Sequence, residues 1–411
     1  MSLGNRFMRN RFLQFTGVFI ALIVIYILFA VISCCLPDKT IKSHVKSASN
    51  SMVKYGNYPR SIIDVEGCQQ DLFTESLILN QVYCIDRHKP FKSAMRVVRM
   101  SSSWDQADDL WGLTHDRKNG QEVVYARYWH GTTFLSRYLL TFLNYTEIQL
   151  LLFAICCVLL LVFGSWYLPR AGIWKTVAIM MSWIMVYGFM MFFSTQFTPV
   201  FIVSLVASMC VIKFDGDDPK LSMLFFIIGS VTCYFDLLTI PLLSFAWPLL
   251  VWLSLRDDHP LTVMDFKQMV IWACLWLGCF ALTWFTKWVI GTLVLDYNVI
   301  QDGISVVLFR TSMEQEATRL GAISKNLALV PWKMVCFTAI VFVLYAATRF
   351  RMPSWSNFLM YLVVAVAPYL WYMALTNHSY IHFWFTYRLQ FITLCALLLA
   401  ICSCRRQPRL R

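Results

Sequence analysis

Long apolar runs punctuate this chain, and they limit its fold more than any other feature. The first, Phe12 to Cys34, contains no charged side chain, and comparable runs recur to the end of the sequence. A backbone surrounded by lipid has no water to bond, so each run must satisfy its own peptide groups as a helix. Hydrophobic residues make up 58% of the 411 and charged ones only 14%. A soluble domain of this size would be about 25% charged, which excludes an ordinary soluble enzyme. The net charge of +12 would suggest nucleic acid in a soluble protein. Here Lys and Arg fall between the apolar runs, as the positive-inside rule produces, and no nucleic-acid partner is implied. The run Phe12–Cys34 is too long for a secretory signal and lacks a small-residue cleavage site, so it reads as a retained signal anchor.

Charge placement predicts a topology. Arg6, Arg9 and Arg11 precede the first run, which puts the N-terminus in the cytoplasm and the following segment outside. Further runs lie at about Ile148–Tyr167, Thr176–Phe193, Val200–Val211, Leu221–Phe235, Thr239–Leu255 and Met269–Leu295. One more ends at Arg349 and Arg351, one near Leu375, and the last runs from about Arg388 to the basic tail. Every inward link in this scheme carries Lys or Arg, whereas Ser194–Thr198 and the link around Asp236–Pro241 carry none. The expected fold class is all-α, a polytopic membrane helix bundle of about ten spans with both termini cytoplasmic. Leu221–Leu255 could instead be one long broken helix. Residues 1–35 form the N-terminus and first span, 36–147 a large extracytoplasmic loop, 148–404 the bundle and 405–411 a cytoplasmic tail. No internal repeat and no Pro/Gly-interrupted pair in matching halves is evident, which weakens a transporter of inverted repeats.

The loop is the only long polar segment and holds a large share of the acidic residues, among them Asp64, Asp71, Glu75, Asp108 and Asp109. Gln69–Ile85 reads as a helix with Leu72, Leu77, Leu79 and Tyr83 broadly to one side. Tyr125–Phe142 mixes Tyr128, Trp129 and Tyr138 with Arg127, His130 and Arg137. That composition suits a helix lying in the membrane interface, or equally one packed on the loop's own core. Asn119–Gly120 marks a turn. Cys68 and Cys84 flank the first loop helix and could form a disulfide outside the cell. Most of the other cysteines sit in apolar runs as small buried side chains, and no Cys-x-x-Cys pair suggests zinc.

Ions in a bilayer cost roughly 2.5–3.5 kcal/mol each on insertion scales, so stranded ones need a partner or a function. Asp236 closes the fifth run, Lys287 sits in the outer third of the seventh, and His378, His382 and Arg388 occupy the link before the last. Each has a local explanation: Asp236 as a helix cap, Lys287 snorkelling to headgroups, and the histidines as satisfied interface residues too few to hold a metal. Their common placement beneath the loop instead predicts one shared polar cavity opening to the outer leaflet.

One large outer loop after the first span, helices within it and a multi-span bundle together resemble the GT-C class of membrane glycosyltransferases. Tyr125–Ala126–Arg127–Tyr128–Trp129–His130–Gly131, Tyr234–Pro241, Phe285–Thr286–Lys287–Trp288 and Asn377–Arg388 look like recurring signatures of uncharacterised bacterial polytopic membrane proteins in that superfamily. The resemblance covers about Asp64 to Arg388. It implies inverting transfer of a sugar from a polyprenyl-phosphate donor to an envelope glycan, lipid or protein at the outer face of a bacterial cytoplasmic membrane.

The resemblance also implies an acidic catalytic residue in the first outer loop, within Ser61–Asp64 or Asp71–Glu75. Relatives look to carry a Thr-Asp pair where this chain has Thr74–Glu75. Asp64 is the first choice of base, followed by Glu75 and the Asp108–Asp109 pair. Arg127, His130, Asp236, Lys287, His378, His382, Tyr387 and Arg388 would contact substrate, with Lys287 and Arg388 neutralising its phosphate. Asp108–Asp109 could bind a divalent cation, against a solvated loop as the plainer reading; no other cofactor is implied. The chain has no Gly-rich phosphate loop, which disfavours a nucleotide-sugar donor. The competing classes are a transporter or lipid flippase, with Asp236 and Lys287 paired in a translocation path, and a non-catalytic scaffold.

Overall fold

Helices run through the apolar stretches of the structure, a computed structural model, with a break inside Thr176–Phe193. It describes residues 3–61, 65–117, 120–313, 316–348, 350–352 and 354–404, with side chains from residue 11 onward. Helix α1 (Leu3–Cys35) leads into the loop elements α2 (Asp38–Tyr55), α3 (Leu72–Tyr83), α4 (Pro90–Arg96), β1 (Val98–Ser101), α5 (Gln106–Thr114), β2 (Gln121–Val124) and α6 (Gly131–Leu140). The bundle opens with α7 (Tyr145–Ala171), α8 (Ile173–Met185), α9 (Thr198–Lys213), α10 (Asp218–Phe235), α11 (Leu243–Arg256) and α12 (Val263–Val294). It closes with α13 (Val299–Thr311), α14 (Arg319–Ala328), α15 (Trp332–Ala347), α16 (Trp355–Ala374), α17 (Thr376–Ile381), α18 (Phe383–Thr386) and α19 (Gln390–Ser403). Short 3-10 turns cover Gly188–Phe193 and Tyr387–Leu389. Among the described residues the protein is all-α apart from one antiparallel strand pair, β1–β2, in which Val98 faces Val124 and Ser101 faces Gln121, and an isolated bridge between Arg60 and Gln69.

Local chemistry sets the helix boundaries. Asn144 and Glu147 form a capping box at the start of α7, and Thr262 and Asp265 form another at α12. Helix α2 buries Ile41, Val45, Ala48 and Met52, a spacing that keeps them on one face. They meet Leu72, Leu79, Val82, Leu110 and Leu140 in the loop's own core. The fully buried Arg137 of α6 ties this core to the end of α1, donating to the Ser33, Leu36 and Val82 carbonyls and to the Asp38 carboxylate.

The helix expected over Tyr125–Phe142 is shorter. His130 takes a left-handed φ of 58°, and α6 begins only at Gly131. A β-carbon on Gly131 would lie 2.6 Å from the Tyr234 ring, so a glycine is what lets the chain pass there. Phe134, Ser136 and Arg137 of α6 are buried, which corresponds to the packed alternative rather than the interfacial one. Cys68 and Cys84 are free thiols, and Cys84 donates to the Asn80 side chain.

In the bundle, α9 and α11 are buried along most of their length. By contrast α1, α7, α12, α15 and α16 turn Phe12, Leu161, Leu293, Phe337 and Leu359 outward. An apolar exterior around a satisfied interior is what a lipid solvent selects. Helices α10 and α12 approach closely at Gly229, where a β-carbon would sit 2.2 Å from the Trp276 carbonyl oxygen. Helices α10 and α11 are separate, because the chain leaves the helix at Asp236 and Leu238 adopts a φ of 68°. Among the described residues five helices are long and apolar enough to cross a membrane: Arg11–Cys35, Tyr145–Ala171, Val263–Val294, Trp355–Ala374 and Phe383–Ser403. The pair α14–α15, bent by 76°, would make a sixth. Helices α8, α9 and α11 are apolar but have 13, 16 and 14 residues, against roughly 20 for a full crossing.

Candidate functional site

The N-terminal turn of α3 carries Asp71 and Glu75 out of the loop and against the bundle. There they line one cavity with Arg388, Tyr145, Ser194 and Phe197. The cavity holds about 10 Å³, room for roughly one water. Glu75 is saturated: one carboxylate oxygen accepts from the Ser194 hydroxyl at 2.7 Å and the Gln196 amide at 3.2 Å. The other accepts from the Tyr145 hydroxyl at 3.0 Å and from the Thr195 hydroxyl. Burial pushes its carboxyl above the usual range, with the Ser194, Thr195, Gln196 and Tyr145 bonds pulling the other way.

Asp71 is less committed. It caps α3 by accepting from the Thr74 amide at 3.0 Å on one oxygen and the Thr74 hydroxyl at 2.9 Å on the other. Burial pushes its carboxyl up to about 6; the Thr74 bonds and the more distant Arg388 charge lower it, while Glu75 raises it. Arg388 donates to the Gly67 carbonyl at 3.1 Å and the Trp384 carbonyl at 3.2 Å, and lies over the Phe197 ring at 5.4 Å. Its Nε has no partner among the described residues. The neighbouring Tyr387 hydroxyl donates to the carbonyls of Gly67 at 2.8 Å and Val186 at 3.0 Å.

The other residues predicted to share this cavity do not. Lys287 is fully buried in α12, and its ammonium donates to the Met95 carbonyl at 2.8 Å and the Ala94 carbonyl at 3.3 Å. It therefore holds α4 to the bundle. Asp236 accepts from the Thr239 amide at 3.1 Å and from the Thr239 hydroxyl. The Asp236–Lys287 pair of the transporter reading is not formed, since each group has these other partners.

Arg127 pairs with Asp302 at 3.3 Å and stacks on Tyr125 at 4.2 Å. Its carbonyl accepts from Trp284 and Trp288 at 2.7 and 2.9 Å. His130 bonds the Tyr125 carbonyl at 2.6 Å, and burial pushes its imidazole down to about 3, so it is neutral. His378 uses Nε2 on the Leu238 carbonyl at 2.7 Å, which leaves Nδ1 to accept from Arg310. His382 stacks on Phe385, with ring centres 5.0 Å apart.

Asp64, the first choice of base, lies outside the described residues, as does Asn119 of the expected turn. Asp108 is occupied by Arg117 in a two-pronged pair at 2.8 Å on each oxygen. Asp109 accepts from the hydroxyls of Ser101, Ser102 and Ser103 and from the Ser102 and Ser103 amides. Neither carboxylate is left for a cation, and no group of three metal-ligating side chains occurs among the described residues.

The loop end of the bundle therefore contains one polar cavity and, apart from it, a packed cluster of buried cations and histidines, where sequence predicted a single shared cavity. Asp71, Glu75 and Arg388 line the cavity; Arg127, Arg310, His378 and His382 belong to the cluster. Between them stand Phe197 and Phe385, 5.9 Å apart. Arg310, Tyr145, Ser194 and Thr195 were not singled out by their sequence context. The fold and this polar end define a class: a mainly helical protein with, among the described residues, five helices long and apolar enough to cross a membrane and with buried ionic groups at its loop end. No family model, curated protein or solved structure matches the chain.

Proposed function

We propose that this chain is a membrane glycosyltransferase of the GT-C kind, with about ten spans and its loop on the outer face of a bacterial cytoplasmic membrane. It transfers a sugar from a polyprenyl-phosphate donor to an envelope acceptor. One observation supports this above others: the loop delivers Asp71 into the same cavity as Arg388 of the bundle. A carboxylate raised to about 6 by burial takes a proton from an acceptor hydroxyl more readily than one at its ordinary value. A guanidinium beside it stabilises the departing phosphate. Asp71 is the base in this reading, and Glu75, with four donors on its carboxylate, positions α3. The cavity is too small for a sugar as it stands, so α3 and the Ser194–Gln196 turn must separate to admit one.

The test uses protein reconstituted in vesicles with a panel of polyprenyl-phosphate sugars, measuring release of polyprenyl phosphate and movement of labelled lipid between leaflets. Release that depends on Asp71 supports transfer. Movement without release would favour a flippase and sink this reading.

A further inference from the structure

The buried cluster apart from that cavity is drawn from three separate parts of the chain. Arg127 and Tyr128 come from the segment before α6, Arg310 from the last turn of α13, and His378 and His382 from α17 and its end. Their charges are unbalanced. Arg127 faces Asp302, but Arg310 joins no carboxylate among the described residues and instead donates to a neutral imidazole, His378. Among the described residues four buried polar atoms here have no hydrogen-bond partner: Nε of Arg127, Nε of Arg310, the Tyr128 hydroxyl and Nδ1 of His382. The Arg127 guanidinium lies over the Tyr128 ring at 5.6 Å, and the ring of His378, which accepts from Arg310, is 4.9 Å from that of His382. Tyr128 is 2% exposed and His378 3%.

Leaving buried donors unmade forfeits their hydration with nothing in return, and the penalty is larger for charged ones. Proteins accept that cost mainly where a ligand completes the set. The unmade groups here are donors, or can be, on two guanidinium groups, a phenol and an imidazole. A cation would be repelled and a neutral sugar would leave the Arg310 charge uncompensated. A planar carboxylate suits a single guanidinium fork, whereas donors arriving from several elements suit a tetrahedral oxyanion.

We infer that the Arg310–Tyr128–His382 cluster opens to bind a phosphate group, in a site separated from the Asp71 cavity by the Phe197–Phe385 layer. The phosphate belongs either to a lipid headgroup or to a free phosphate ion. The inference does not depend on sugar transfer, because binding is measurable with no sugar present.

The full chain, purified in detergent in chloride buffer, is unfolded thermally with inorganic phosphate and, separately, with a short-chain dialkyl phosphate. A rise in Tm with inorganic phosphate identifies a free-anion site; a rise with the dialkyl phosphate alone identifies a headgroup site. Arg310→Gln is expected to weaken the responding ligand by about tenfold or more. Should that variant fail to fold, Tyr128→Phe carries the test. Removing an unpartnered buried hydroxyl leaves the ligand-free Tm unchanged or higher while shrinking the ligand-induced rise. A merely structural hydroxyl gives the reverse: lower ligand-free Tm and an undiminished rise. That reverse pattern, or no response of the unmutated protein to either phosphate, overturns the proposal.

Discussion

Glu75 and Arg310 are both charged and both sit at the loop end of the bundle, yet their surroundings differ. Glu75 accepts four hydrogen bonds, from α7 and from the turn before α9. Arg310 leans on a neutral histidine and keeps an Nε without an acceptor. A charge with every valence met by the protein is already spent on holding the fold together. A charge with valences open has something left for a ligand. Asp71 lies between these extremes, with one bond to each oxygen, both from Thr74. The same distinction removes Lys287 from the reactive set, since two carbonyls of α4 engage it.

The largest expected effect tests Asp71 as the uncommitted carboxylate. Asp71→Asn should lower the transfer rate by about 100- to 10,000-fold with Tm preserved, read as polyprenyl phosphate released from vesicles. The rate of the unmutated protein should fall about tenfold per pH unit below 6, because the base must be ionised; a pH–rate profile without this acid limb would remove Asp71 from the role.

Glu75→Gln tests the saturated carboxylate. Its new NH2 faces two donors, so denaturant unfolding should show a loss of about 1–3 kcal/mol. An unchanged midpoint would mean that the four bonds contribute nothing.

A subtler effect follows from the sign of the Asp71 shift. Its carboxyl in the folded protein stands near 6, above its ordinary value of 3.8, so the native state holds the proton more tightly. That contribution to stability is fully present below 3.8 and is lost as pH rises through 6. Activity and stability should therefore move oppositely with pH, and stability measured between those values in Asp71→Asn should lose that slope.

The smallest effect concerns Lys287→Met, which leaves two carbonyls unbonded. It should cost about 1 kcal/mol while leaving the Tm response to phosphate intact; a lost response would join Lys287 to the Arg310 cluster.

Helices were legible because their signals are local. Phe12–Cys34 lies within α1, Ile148–Tyr167 within α7, and the helix expected over Gln69–Ile85 contains α3. The run Thr176–Phe193 was less so: α8 ends at Met185, Tyr187 turns left-handed, and Gly188 follows where a β-carbon would lie 2.2 Å from the Trp183 ring. Strands β1 and β2 have four residues each, too short for an alternation to stand out. Glu75 and Arg388 were both named from sequence, and they line the same cavity. Three of the four donors on Glu75 come from residues about 120 positions later in the chain and the fourth from 70 positions later, a pairing that no local pattern encodes. Arg310 resembles any basic residue near a helix end until its neighbours are seen.

The Tyr387 hydroxyl, bonded at once to Gly67 and Val186, has a consequence for how this protein can be taken apart. A β-carbon on Gly67 would come within 2.9 Å of that hydroxyl oxygen, so the loop is fitted onto the bundle there without slack. Arg388, the next residue, owes its position to the same Gly67 carbonyl. The loop is thus not a module that could be transplanted or expressed apart with its chemistry intact. Exchanging it for another protein's loop would remove one wall of the cavity and displace the cation on the opposite wall.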